Sequence, residues 1–446
     1  MRTFIKMLLM LIVSAFLGTA LMILVYMLPV DGMKRNVRSS IDMLMKEGVR
    51  NSWAAFSYKR PPRQMNAAKD VSQSMTTARP YSIIDGFTDG AMINTAIYNS
   101  GNVSSLVYDA MMNPYLSYKS SSDFGNPIET LSKALDADIS NEEAGISIYP
   151  RYWHGFLVYL KPLLTFFGIP GIRVINFILQ FILMVTVMLR ISDKLGRAYA
   201  IAFALSVLVI DPIASAVCLT YSNVYYVLLI TMLVMLSMND SLKQGNGYCF
   251  VFMFTGILTA FLDLLTYPFA SLGMPAVLYL LMNSEIKLSE KFVNLVKQGL
   301  SWGFGYFGMW ASKWYIAYMF TGYDVISDGM NAAFFRMGTN IKGMDITFRW
   351  ILSYIISMKG FLPFMLLLCA VIILLVIAMY ISVRKGNTSV SDIIPLCFVS
   401  LYPFVWYAVL KQHSIIHYFF TYKVLCIFVF AWACTVIKCF GYKHDG

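Results

Sequence analysis

The chain is short of charge. Only 13% of its 446 residues are Asp, Glu, Lys or Arg, against 58% hydrophobic, which leaves too little polar surface to cover a soluble globule of this length. It has no internal repeat of fixed period and no low-complexity tract. It also lacks a Walker loop, a dinucleotide fingerprint, Gly-x-Ser-x-Gly and Cys-x-x-Cys, which argues against ATP hydrolysis and redox chemistry. Cysteine is scarce, and Cys218, Cys249, Cys369, Cys397, Cys426, Cys434 and Cys439 all lie in or beside apolar stretches. No disulfide framework is implied. The net charge of +11 has no soluble basic domain to hold it. Its Lys/Arg excess is spread over short loops, so it reads as membrane topology rather than as a nucleic-acid surface.

What the chain does have is long apolar runs. At about 20 apolar residues per crossing, spans fall near 5–28, 170–189, 199–217, 220–238, 247–265, 267–284, 300–320, 361–383, 391–410 and 415–437. The expected class is all-α, a polytopic membrane protein of about ten transmembrane helices with a large exterior first loop containing interfacial helices. The parts are an anchor at 1–30, the exterior loop at 31–154 and a helix bundle at 155–446. The first span is longer than a signal-peptide core and has no persuasive small-residue cleavage site, so a retained anchor is expected. With the N-terminus inside, Arg190/Lys194/Arg197, Lys243, Lys287/Lys291/Lys297, Arg384/Lys385 and Lys438/Lys443 all fall inside too, which satisfies the positive-inside rule. The predicted location is the cell membrane, N-terminus cytoplasmic and first loop extracytoplasmic.

That loop runs for about 120 residues and escapes the rule, which counts only short loops. Within it, 37–49 has the apolar spacing of an amphipathic helix on lipid headgroups. Lys59-Arg60-Pro61-Pro62-Arg63 reads as a turn-rich break. A short helix is expected to start near Thr88, and 120–145 reads as polar and mobile. The stretches 155–168 and 348–358 are apolar but short, and suit interfacial or re-entrant helices.

Ionisable residues in or beside spans gather toward the outer leaflet. They are Asp211, Asp263 before Thr266-Tyr267-Pro268, Lys313, the Lys411-Gln412-His413 turn with His417, and Lys423. Charge inside a bilayer is costly and marks a functional-site hypothesis by default; these groups would ring an outward-facing cavity. In the loop, Asp85-Gly-Phe-Thr-Asp89 puts two carboxylates on one face of a helical turn. A carboxylate near a hydroxyl can act as general base, and the pair can hold a divalent cation such as Mg or Mn. The plainer reading is turn chemistry and helix capping. Tyr149 to Gly155 closes the loop; Tyr152 and Trp153 fit an interface belt, whereas Arg151 and His154 have the chemistry to meet a phosphate. The i, i+4 pair His413/His417 shares a helical face, but without His-Glu-x-x-His a hydrogen-bonding role is favoured over zinc.

The layout of one span, a long exterior loop with acids, then many spans whose outer ends complete a cavity resembles the GT-C class of integral-membrane glycosyltransferases. Asp85-Gly-Phe-Thr-Asp89, Tyr152-Trp153-His154-Gly155 with Arg173 and Asn176, Asp263-Leu-Leu-Thr-Tyr267-Pro268, Lys313-Trp314 and Gln412-His413-Ser414-Ile-Ile-His417 through Thr421-Tyr422-Lys423 also resemble strings in bacterial membrane proteins of surface-polysaccharide assembly. That class usually carries its acid soon after the first span; here only Asp31 is close and Asp85 is far along the loop. The resemblance implies transfer of a sugar from a polyprenyl-phosphate donor to a hydroxyl of a saccharide or glycolipid acceptor on the outer face, among membrane lipids and without nucleic acid. Asp89 would be base or metal ligand with Asp85 its partner. Arg151, Lys313 and Lys411 would meet the phosphate, His154, His413 and His417 would bond sugar or phosphate, and Asp263 and Tyr267 would line the substrate. The alternative is a transporter or flippase of a lipid-linked saccharide, which would need alternating access and the paired repeats that this chain does not display.

Overall fold

The computed structural model of the protein describes residues 2–51, 84–118, 127–136, 144–341, 344–356 and 390–440, with isolated positions at 358, 373, 377 and 380–381. The turn at 59–63 and almost all of the expected span at 361–383 lie outside the described residues. The chain opens with α1 (Arg2–Tyr26), α2 (Asp31–Arg38), α3 (Ile41–Asn51), α4 (Gly86–Ile97) and α5 (Leu106–Met112). Strand β1 (Tyr115–Tyr118), α6 (Pro127–Asp136) and strand β2 (Ala144–Ser147) follow. The two strands pair antiparallel, Tyr115 opposite Ser147.

The bundle comprises α7 (Leu157–Phe166), α8 (Ile169–Leu195), α9 (Arg197–Ile210), α10 (Pro212–Val217), α11 (Leu219–Leu242), α12 (Gly247–Leu262), α13 (Ala270–Met282), α14 (Leu288–Thr321) and α15 (Val325–Met337). A second short ribbon, β3 (Asn340–Ile341) with β4 (Met344–Asp345), precedes α16 (Phe348–Ile356), and α17 (Val390–Val399), α18 (Tyr402–Val409), α19 (Lys411–Ile416), α20 (Tyr418–Thr421) and α21 (Cys426–Cys439) end the chain.

Five helical stretches among the described residues are long and apolar enough to cross a membrane: α1, α8, α11, Ser391–Val409 and Tyr418–Cys439. They match five of the ten expected spans. The expected 199–217 helix is broken at Asp211, whose backbone is left-handed (φ 54°). The expected spans at 247–265 and 267–284 appear as helices of 16 and 13 residues. At 1.5 Å per residue these reach only about 20–24 Å, less than a hydrocarbon core of about 30 Å. Region 300–320 lies inside the 34-residue α14.

Helix α8 shows why this is a membrane protein. Its large apolar side chains, Phe177, Phe181 and Ile182, are exposed, while Arg173, Asn176 and Gln180 are buried. That is the reverse of a soluble helix and is stable only where the surroundings are apolar. The loop corrects two expectations. The stretch 37–49 takes in the end of α2 and most of α3, and its Val37 and Leu44 are buried, as is Met33 just before it, with α2 against α7 and α3 against α4 and α6. The stretch read as mobile contains α6 and leads into β2. Asn36 ties this layer to the bundle by donating to the carbonyls of Leu164 and Thr165 at the end of α7 (2.9 and 3.1 Å).

The tightest crossing joins α12 to α14. A Cβ on Gly256 would lie 2.2 Å from the Trp302 carbonyl oxygen, and one on Gly305 2.2 Å from that of Met253. Small residues let membrane helices approach to backbone contact. Replacing either by Ala is expected to destabilise the protein by about 1–3 kcal/mol, because backbone cannot step aside as a side chain can. Gly299→Ala, where nothing lies within 4 Å, is expected to keep or slightly raise the melting temperature. Thermal unfolding in detergent measures all three.

Candidate functional site

The residues that stand out in the sequence as buried charges fall into two groups. The larger group sits on helix ends. Asp89, from α4, accepts from the backbone N–H groups of Leu219 (3.0 Å) and Thr220 (2.9 Å), from the Thr220 hydroxyl (2.7 Å) and from the Cys218 thiol (3.4 Å). It caps α11, whose own N-cap position, Cys218, makes no side-chain cap. Asp85 caps its own helix, accepting from Thr88 N (3.1 Å) and Thr88 Oγ1 (2.6 Å). Asp211 caps α10 through Ala214 N (3.1 Å), and Asp263 closes the turn into α13 through Thr266 N (2.9 Å).

Lysines serve the opposite ends. Lys161 donates to the carbonyl of Ala96 in the last turn of α4 (2.7 Å), Lys313 to that of Met111 in the last turn of α5 (2.7 Å), and Lys423 to that of Ile210, which ends α9. An anion at a helix N-terminus and a cation at a C-terminus both complement the helix dipole and satisfy groups that have no intrahelical partner. Burial raises the Asp89 carboxyl above its usual range, opposed by the charge of Arg173 and by the Thr220 and Leu219 bonds. Burial also lowers Lys161 to about 7, opposed by Asp109.

The second group lies around a chain of aromatic rings. His413 and Trp406 are 6.1 Å apart, Trp406 and Phe269 5.1 Å, Phe269 and Trp302 5.6 Å. Trp302 stacks on Tyr306 at 4.6 Å, Tyr306 is 5.6 Å from Trp310, and Trp310 is 5.4 Å from Tyr152. The Arg336 guanidinium lies 5.8 Å from the Tyr152 ring and acts electrostatically on His413 and His417, which closes the circuit. Asp263 acts on Tyr152 and Tyr306. Sequence segments from the first loop, α13, α14, α15, α18 and α19 thus meet in one place.

Several polar atoms of these residues have no hydrogen bond within the protein. Trp310 Nε1, Trp406 Nε1, Arg336 Nε, His154 Nδ1 and His413 Nδ1 are buried without a hydrogen bond. His154 Nε2 lies 3.0 Å from the Tyr149 carbonyl and His413 Nε2 2.8 Å from that of Leu265. Because a carbonyl only accepts, each Nε2 carries the proton and each Nδ1 presents a lone pair. His154 and Leu265 hold left-handed backbones (φ 56° and 67°), which are sparsely populated by non-glycine residues and cluster at functional sites. Gly155 makes the first possible: its N–H donates to the Phe261 carbonyl at 2.8 Å, and a Cβ there would sit 2.4 Å from the Phe261 ring.

The other expected site residues have plainer surroundings. Arg151 Nε is 3.1 Å from Asp328 Oδ2. Tyr267 donates to the Tyr221 carbonyl at 2.8 Å. His417 is 4.7 Å from His413, ring to ring, and stacks on Phe420 at 5.0 Å; Lys411 is half-exposed beside them. Asp85 and Asp89 join the second group only indirectly. Asp85 acts on Tyr221, whose ring is 5.9 Å from Phe420, and Phe420 touches both histidines. No cluster of three or more His, Cys, Asp or Glu suited to a metal ion occurs among the described residues. A hollow of about 410 Å³ is lined by α8 and α9 and by none of the expected site residues. Sequence reasoning missed Arg336, Trp310 and Trp406; the available signal for Arg336 was a lone cation in the apolar string Phe334-Phe335-Arg336-Met337. The chain matches no protein-family model, curated protein or solved structure.

Two predictions follow from the two groups. Asp89→Ala strands several buried donors at the start of α11, at about 1–3 kcal/mol each; a drop in melting temperature with no ligand present is the expected result. Burial, with Lys313, lowers His154 from 6.5 to about 3, and burial with His417 and Arg336 lowers His413 well below its usual value. The unfolded chain therefore binds protons at a higher pH than the folded one. Stability is complete above pH 6.5 and falls as pH drops from there toward 3, by about 1.4 kcal/mol per pH unit for each histidine. His154→Gln is expected to remove about half of the slope that these two contribute in melts across that range.

Proposed function

We propose that this chain transfers a sugar from a polyprenyl-phosphate donor to an acceptor hydroxyl at the extracytoplasmic membrane face. The observation that carries the reading is a set of buried atoms with no hydrogen bond on the residues of the aromatic circuit: the Nε of Arg336, whose Nη1 donates to the Ala332 carbonyl, two indole N–H groups and two imidazole Nδ1 atoms. That set complements a phosphate and several hydroxyls at once. Arg336 would hold the phosphate, guanidinium being the residue type best matched to its oxygens. The lone pairs of His154 and His413 would accept from sugar hydroxyls, and the half-buried Trp310, next to the stacked Trp302 and Tyr306, offers a flat apolar face against which a sugar ring can lie.

In the reaction, the acceptor oxygen bonds to the anomeric carbon while the bond from that carbon to the phosphate oxygen breaks. The electron pair leaves with the carrier phosphate, whose developing charge Arg336 stabilises. The acceptor proton needs a base. We assign that role to Asp263, whose carboxylate accepts from Thr266 at the same turn that offers the Leu265 carbonyl to His413; Asp85 and Asp89 cap α4 and α11.

A carrier of lipid-linked saccharide is the second reading, favoured by the helix broken at Asp211 between α9 and α10, since transporters use such breaks. One assay separates them. Purified protein is incubated, with and without Mg, with a panel of polyprenyl-phosphate sugars and acceptors, and freed carrier phosphate is measured. Release is expected, with Arg336→Gln and Asp263→Asn each slower by about 100-fold or more. Movement of the donor across vesicles without release would establish the carrier instead, and release unaffected by either substitution would overturn the assigned site.

A further inference from the structure

Helices α8 and α9 form a hairpin about Gly196 (φ 103°), and between them runs the hollow of about 410 Å³. Its floor and walls are apolar, with Met188 on α8 and Ala204, Leu205 and Leu208 on α9, while Ser192 and Arg197 stand at the hairpin end. From Arg197 to Leu208 the helix rises about 16 Å, at 1.5 Å per residue, which is most of the length of an extended acyl chain. The hollow is therefore polar at one end and apolar along the rest, in the same sense as a membrane lipid standing in one leaflet.

We propose that a phospholipid with an anionic headgroup occupies this groove, its acyl chain along α8 and α9 and its phosphate at Arg197. Three observations on the chain support that occupant over a protein partner. The groove opens on the surface where Phe181, Ile182, Leu189 and Ile201 are exposed, the side that faces lipid. The hairpin end carries the exposed cations Arg190, Lys194 and Arg197 against one acid, Asp193, so an anionic headgroup gains where a zwitterionic one does not. By the positive-inside rule this end lies in the cytoplasmic leaflet, the opposite side from the aromatic circuit. The bound lipid braces α8, whose other face buries Arg173, Asn176 and Gln180.

The test uses full-length protein stripped of lipid in detergent. Phosphatidylglycerol, phosphatidylcholine and the free headgroup glycerophosphoglycerol are added separately, with binding read by native mass spectrometry and by thermal shift. Phosphatidylglycerol is expected to bind and raise the melting temperature, and the other two to do neither. Arg197→Gln is expected to weaken binding about fivefold, and Ala204→Phe to abolish it by filling the groove. Lys243→Gln, in a different basic loop, serves as the control and should bind as the unchanged protein does. Equal binding of phosphatidylcholine, a sufficient effect of the headgroup alone, or binding that survives Ala204→Phe in a protein that still melts cooperatively would each overturn the proposal.

Discussion

A helix that stops inside a low-dielectric region leaves backbone N–H and C=O groups that water cannot reach, and each costs free energy until something satisfies it. This protein is built from many such ends. Helices α4, α5, α9, α10 and α11 all begin or finish among buried side chains, and α9, α10 and α11 follow one another with a break at Asp211 and another at Cys218. The chain meets the constraint with full charges. Asp85, Asp89 and Asp211 stand at the starts, and Lys161, Lys313 and Lys423 at the finishes. Each of these charges is tolerated because it meets a helix dipole of opposite sign together with real hydrogen bonds.

The same constraint links the first loop to the bundle. Asp89 is in α4 and its partners are in α11, about 130 positions later; Lys161 returns the connection from α7 to the other end of α4. Both ends of one short helix are therefore held by elements of the bundle, and Lys313 ties α5 to α14 in the same manner. The segment is held against the bundle by charge on backbone, next to the stretch that carries Tyr149, Tyr152 and His154.

Within the circuit the polar groups differ in kind from the capping charges. A capping carboxylate is surrounded by donors from its own chain, whereas Arg336 Nε, the two indole N–H groups and the two imidazole Nδ1 atoms have none. Buried atoms without partners are rare in native proteins and call for an explanation in each case. The left-handed backbones at His154 and Leu265, each next to a histidine contact, add strain at the same spot. The ligand proposed above would account for both observations together.

By itself, the sequence determined the class of the protein: scarce charge and long apolar runs require helices in a membrane, and α1, α8 and α11 form where the runs predict them. It also marked the charges that need a partner, because an ionisable side chain in an apolar stretch is costly wherever it ends up. It did not distinguish the charges that hold helix ends from the groups left open. Asp89 and Lys313 look functional in the sequence yet point at backbone, and Arg336 attracted no notice. Only the tertiary structure decided this, because the carbonyl or N–H that satisfies a buried charge lies as far as 213 positions away, and no local pattern of spacing records which distant helix end will arrive beside it.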